Sequence, residues 1–176
     1  MIEGWASVPD VTRKDGSHGA WKTSSKVVSV SELKQSDVAY VDQLLPLSRL
    51  TPEMNEASTY LVAWDGGEPI GHAHIAWART HLGIPEIQDV FVVPERRRQG
   101  IASQLTRAAE DEARTRGWGS ISLSVSQAGN EAARQLYAKL GYVEAAVDRV
   151  RVSGMIMLRG QPVEVDDTLV YLEKTL

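Results

Sequence analysis

The amino-acid sequence predicts an α/β fold of the α+β kind, with a mixed, mainly antiparallel central sheet flanked by helices. Strand-like stretches recur at Thr59–Trp64, Glu86–Val93 and Ser120–Val125, each next to Gly or Pro. Helical periodicity runs from Gln99 to Arg116 and again after Asn130. In chain order these make an antiparallel meander followed by strand–helix–strand–helix–strand, a pattern that packs helices on a mixed sheet.

Residues 1 to about 25 are rich in Gly, Ser, Lys and Asp around isolated Trp5 and Trp21. They read as a flexible or loosely packed extension (1–25) ahead of a single domain over 26–176. Lys26–Leu33 alternates like a strand. Ser36 and Asp37 offer N-caps to a helix carrying Val38, Val41, Leu44 and Leu45, which Pro46 ends. Pro52 suits the first position of a short helix after Thr51. Asp65-Gly66-Gly67 is a hairpin turn between Thr59–Trp64 and a partner strand from Pro69 to about Arg79. His81–Pro85 is a loop, and Glu86–Val93 is the next strand.

The helix from Gln99 to Arg116 has an apolar stripe of Ile101, Leu105, Ala108, Ala109 and Ala113. The pairs Glu110–Arg114 and Glu112–Arg116 are placed on its wet side. Gly117 and Gly119 stop it. After the Ser120 strand, Asn130 caps a helix that ends at Lys139 and Gly141. Tyr142–Val152 and Thr168–Lys174 are expected to be the last strands, with a glycine-containing insert around Gly154–Asp167 between them.

The chain of 176 residues has the length of one domain and room for a core without staples. With no cysteine, it forms no disulfide, thiolate metal site or cysteine nucleophile, and it suits a reducing cytoplasm. A net charge of −4 argues against general nucleic-acid binding and suits a cationic substrate. No apolar run reaches transmembrane length, and no signal-peptide core is present. The expected location is therefore cytoplasmic, with no membrane partner.

The most informative stretch is Asp89-Val-Phe-Val-Val-Pro-Glu-Arg-Arg-Arg-Gln-Gly-Ile-Ala102. A strand breaks at Pro94, passes three arginines and a glycine, and opens a helix. A helix N-terminus presents free N–H groups and favours an anion by roughly 0.3–1 kcal/mol. Gly100 lets the backbone approach a pyrophosphate and Ala102 keeps the first turn slim. Amides from about Arg98 to Ser103 can converge on phosphate oxygens, and Arg97 and Arg98 add charge-assisted bonds. Neither a Walker-type loop nor a dinucleotide-binding glycine fingerprint is present.

Arg97-Arg98-Gln99-Gly100-Ile101-Ala102 resembles the acyl-CoA pyrophosphate loop of the GNAT acetyltransferase superfamily, whose pattern is Gln/Arg-x-x-Gly-x-Gly/Ala. Asn130-Glu-Ala-Ala-Arg-Gln-Leu-Tyr137-Ala-Lys-Leu-Gly141-Tyr142 resembles the family's second signature. Signatures and flanking strands cover about residues 86 to 145. The resemblance implies a GNAT-like fold with acetyl-CoA as co-substrate. It implies cofactor contacts at Arg97, Arg98, Gln99, Gly100, Ile101, Ala102, Ser103 and Asn130. It also implies that the strand bearing Phe91 and Val92 splays from its neighbour, so that its peptide groups pair with the pantetheine arm and one holds the developing oxyanion. Tyr137 takes the position of the tyrosine that protonates the leaving thiolate. A phenol near pKa ~10 suits that role, because it donates a proton without being ionised at neutral pH. Homodimers occur among such proteins.

The implied reaction is direct attack by a small-molecule or peptide amine. A lysine-like amine of pKa ~10.4 costs roughly 5 kcal/mol to deprotonate at pH 7, whereas an α-amine costs about 1. Glu86 matches the catalytic glutamate of the histone-acetylating branch. Asp89 matches an acidic position of polyamine-acetylating relatives, whose neighbouring glutamate is replaced here by Gln88. Residues 86 and 89 have opposite strand parity and, without a bulge, face opposite sides of the sheet. Glu86, Asp89 or a water relay is the base. Two other classes differ in their tests. A non-catalytic acyl-CoA sensor would show no turnover for Tyr137→Phe to remove. A metalloenzyme built on His72 and His74 would carry metal, although the sequence offers no third ligand at helical spacing, so no metal is expected.

Overall fold

Gly66 and Gly67 both have positive φ, 60° and 93°, the conformation a two-residue hairpin turn demands. The turn folds β2 (Ser58–Asp65) back on β3 (Glu68–Ala76) in the computed structural model, which describes residues 28–45, 47, 57–158 and 161–176. Ahead of them lie β1 (Ser29–Glu32) and α1 (Val38–Leu44). After them come β4 (Glu86–Val92), α2 (Ile101–Thr115), β5 (Ser120–Ser126) and α3 (Glu131–Lys139). The chain finishes with β6 (Val143–Glu144), β7 (Val150–Leu158) and β8 (Gln161–Thr175).

The strand order is β1-β2-β3-β4-β5-β8-β6, with β7 paired to β8. Every pairing is antiparallel except β4 with β5. The parallel pair follows from the α2 crossover, as a parallel connection requires. The expected mixed, mainly antiparallel sheet is thus the one found.

Strand alternation gives the sheet two unlike faces. On one, Leu61, Ala73, Ile75, Ile87, Ile121, Leu123 and Val125 meet Ile101, Leu105, Ala109 and Ala113 of α2 and Tyr137 and Leu140 of α3. On the other, Tyr60 and Val62 pack with Leu33, Val41 and Leu45 of the α1 layer. Gly71 lets β3 and β4 approach, since a Cβ there would lie 2.7 Å from the Phe91 carbonyl oxygen.

Several expectations need correction. There is no insert over Gly154–Asp167: β7 and β8 form one long hairpin, with Gly154 opposite Val165. The alternation of Val150 with Val152 and of Val163 with Val165 continues the ladder through Gly154. β3 stops at Ala76, short of Arg79, and α2 starts at Ile101. Asp37 stands at the start of α1 but its side chain caps nothing and accepts from Ser36 Oγ. Glu110 is not on a wet side. It is 3% exposed and its Oε2 accepts from Lys174 Nζ at 2.7 Å. The extension over 1–25 and the short helix after Thr51 lie outside the described residues.

Candidate active site

β4 is the element around which the site is built. It is in register with β5 at Glu86↔Ser122 and Ile87↔Leu123 only, and there the paired register ends. On its other edge it follows β3, but His72 stands opposite Phe91 and His74 opposite Gln88. Asp89 and Val90 therefore share the single partner Ala73, a β-bulge. Asp89 takes φ 48°, a left-handed conformation rare for a residue with a side chain.

The bulge changes the parity argument. Glu86 lies on the α1 face, opposite Ala76 and in line with His74 and His72. Asp89 reaches that face too, with Oδ2 4.0 Å from His72 Nδ1, while Val90 packs against the α2-side core. Both candidate bases thus belong to one side of the sheet. Glu86 is 5% exposed, and Ser124 Oγ donates to its Oε1 at 3.4 Å. Phe91 stacks on His72, ring centroids 5.6 Å apart.

Downstream, a short 3-10 turn over Pro94–Arg96 leads to Arg97, Arg98 with φ 61°, and Gly100 with φ 80°. Gly100 is the N-cap of α2 and offers no side-chain cap. A Cβ at Gly100 would meet nothing within 4 Å, so the space in front of the helix start is open. The neighbouring side chains mostly brace the loop. Arg96 is ion-paired with Asp65 and donates from Nε to Gln99 Oε1. Gln99 Nε2 donates to the Glu95 carbonyl. Arg97 Nε donates to the Val92 carbonyl at 3.1 Å. Ile101 is buried in the core, and Ala102 is half-buried with its carbonyl accepting from Thr106 Oγ1. A ligand at Ile101 or Ala102 would therefore meet backbone, and Ser103 follows in the same first turn.

Asn130 has φ 53° and its Oδ1 accepts from Ala133 N at 3.2 Å, capping α3. Arg134 clamps the preceding loop by donating from Nη2 to the Ser126 and Gln127 carbonyls. Tyr137 is 7% exposed and T-stacked on Tyr142 at 5.7 Å. Among the described residues no hydrogen bond holds its hydroxyl, and burial pushes its pKa up to about 12.

Sequence reasoning missed Ser124, Tyr171, Glu173 and Asp167, which share the α1 face with Glu86. Their parity is readable, but the register that joins β5 to β8 is not. Of the set-aside histidines, His72 and His74 are buried. Among the described residues no group of three or more His, Asp or Glu could hold a metal. No described helix is long and apolar enough to cross a membrane.

A cavity of about 440 Å³ lies between α3 and the β6–β8 edge, lined by Arg134, Ala138, Tyr142, Glu144 and Leu172 among others. It shares no residue with β4 or the α2 start, so its size does not bear on the chemistry argued for them.

The β4–β5 register thus ends beside an uncapped, glycine-led helix start. The chain belongs to the acetyltransferase (GNAT) family, whose model matches residues 27–142. No curated protein shows a significant match. Among solved structures, the fold is similar to that of NAA60 from Arabidopsis thaliana in complex with a bisubstrate analogue. The TM-score is 0.64 at 17% identity, over 85% of this chain and 98% of that one. It is similar to spermidine/spermine N-acetyltransferase SpeG from Vibrio cholerae, with TM-score 0.62 and 19% identity over 84% and 92%. It is also similar to yncA, a putative acetyltransferase from Salmonella typhimurium solved with its cofactor acetyl-CoA, with TM-score 0.61 and 16% identity over 85% and 94%.

Proposed function

We propose that this protein is an acyl-CoA-dependent N-acyltransferase that moves acetyl from acetyl-CoA to a primary amine by direct attack. The observation that carries this reading is the end of β4–β5 register after Ile87, beside the open, Gly100-led start of α2. A pyrophosphate suits amides from Arg98 to Ser103 with no side chain in the way. The acetyl-CoA bound to one similar structure accords with that use.

The thioester supplies an activated acyl carbon, and the amine nitrogen forms the new C–N bond as the C–S bond breaks. Glu86 or Asp89 takes the proton the ammonium must lose. A backbone N–H of Phe91 or Val92 polarises the carbonyl. Tyr137 donates its hydroxyl proton to the departing thiolate and regains one from solvent. Its raised pKa supports an acid that stays protonated throughout the neutral range. Asn130, by fixing the start of α3, helps set where Tyr137 stands. The reading includes a single domain over 26–176 acting in the cytoplasm, and is compatible with a homodimer as with a monomer.

The test is thiol release from acetyl-CoA across a panel of amines. Glu86→Gln should lower turnover on a lysine-like amine about a hundredfold at neutral pH and less at alkaline pH, where the amine is already neutral. A folded protein that neither binds coenzyme A in calorimetry nor releases thiol with any amine would overturn the proposal.

A further inference from the structure

The α1 face of β4, β5 and β8 carries ionic charge of one sign. Register places Glu86, Ser122 and Glu173 in one row across three strands, with Ser124 opposite Tyr171 in the next row. Asp167 accepts from Ser126 Oγ at 3.0 Å on the same face, and the bulge brings Asp89 there. These strands contain one Lys or Arg, Lys174, and alternation sends it to the other face, where it binds Glu110.

Glu86 is the enclosed member. Its described partner is a neutral hydroxyl, and among the described residues it makes no ion pair. A carboxylate taken out of water calls for a cation. Beside it stands Tyr171, whose pKa is raised by burial and by the Glu86 carboxylate. His81, from the β3–β4 loop, stacks on Tyr171 with ring centroids 4.4 Å apart and 23° between planes. That loop thus reaches across β4 and β5, and the stack fixes an aromatic wall next to Glu86. An aromatic wall and a carboxylate together favour an ammonium on a slender stem.

We propose that the acceptor is an unbranched primary amine carrying a second positive charge along its stem. Its reacting nitrogen meets Glu86 beside Tyr171, and its distal charge is held by Glu173, the other carboxylate of the same row. This rests on the acyl transfer proposed above. A zwitterionic acceptor would bring its own carboxylate into a face with four others and no Lys or Arg on these strands to meet it.

Three acceptors with a common four-carbon stem separate the cases: putrescine, n-butylamine and γ-aminobutyrate, which end in a cation, a methyl group and an anion. With acetyl-CoA and the full chain, kcat/KM should fall in that order, by about tenfold per step. Added salt should narrow the gaps. Glu173→Gln should raise KM for putrescine and shrink its advantage over n-butylamine. If that variant fails to fold, the salt series on the unaltered protein decides the same point. Equal rates for the three, or preference for γ-aminobutyrate, overturns the acceptor class while leaving acyl transfer intact. Absence of thiol release with all three, and with every other amine, removes both.

Discussion

The two faces of one sheet put the same strands to opposite uses. On the α2 side, aliphatic residues from five strands close against Ile101, Leu105, Ala109 and Ala113, and the buried Glu110 has Lys174 as its counter-charge. On the α1 side, the same β4 and β5 turn Glu86, Ser122 and Ser124 to one face, and Glu86 has a hydroxyl where Glu110 has an ammonium. A buried charge that is matched serves the fold. One without a counter-charge costs stability, and a cationic ligand bound there would offset that cost.

The largest effect that would break this contrast is on turnover. Tyr137→Phe should lower kcat by about 10²- to 10⁴-fold while coenzyme A affinity and the melting temperature stay nearly constant. A comparable loss of stability would instead trace the lost turnover to packing of the core that Tyr137 shares, and not to proton donation. Leu105→Ala should cost roughly 2–5 kcal/mol in denaturant unfolding, because Leu105 is fully enclosed. Glu86→Gln on the opposite face should leave stability unchanged or slightly higher, so matched losses at the two positions would erase the distinction.

Alkaline unfolding sharpens it further. Tyr137 has its folded pKa raised above the ordinary value of 10.0 to about 12 by burial. Its contribution is fully present below about pH 10 and is lost as pH rises through 12. The full loss is roughly 3 kcal/mol, and Tyr137→Phe should flatten that part of the profile. The smallest effect is expected at Gly100, whose φ of 80° disfavours a side chain. Gly100→Ala should cost about 1 kcal/mol of stability and weaken coenzyme A binding in calorimetry.

What could be read from sequence was local. Gly100 leading α2 and Asn130 capping α3 are decided within a turn or two of chain, so spacing alone located them. The hairpin at Gly66–Gly67 was legible for the same reason. The row from Glu86 through Ser122 to Glu173 joins residues far apart in the chain, and no periodicity encodes that register. The bulge carried no signal either, since Asp89 takes a positive φ that sequence reading assigns first to glycine. Gly154 shows the opposite error: the stretch it opens is expected to be an insert, but it continues β7 with φ 127°, paired in the ladder to β8.

Asp89 stands on the α1 face because β4 has one residue more than β3 opposite Ala73. Removing a single codon at that point would restore even pairing, leaving either no acidic side chain there or one turned inward, while the rest of the ladder stayed in step. In the acyl transfer proposed above, the charge offered to an acceptor is therefore one in-frame deletion from change, which would give an evolving lineage a short route to new substrates without rebuilding the scaffold.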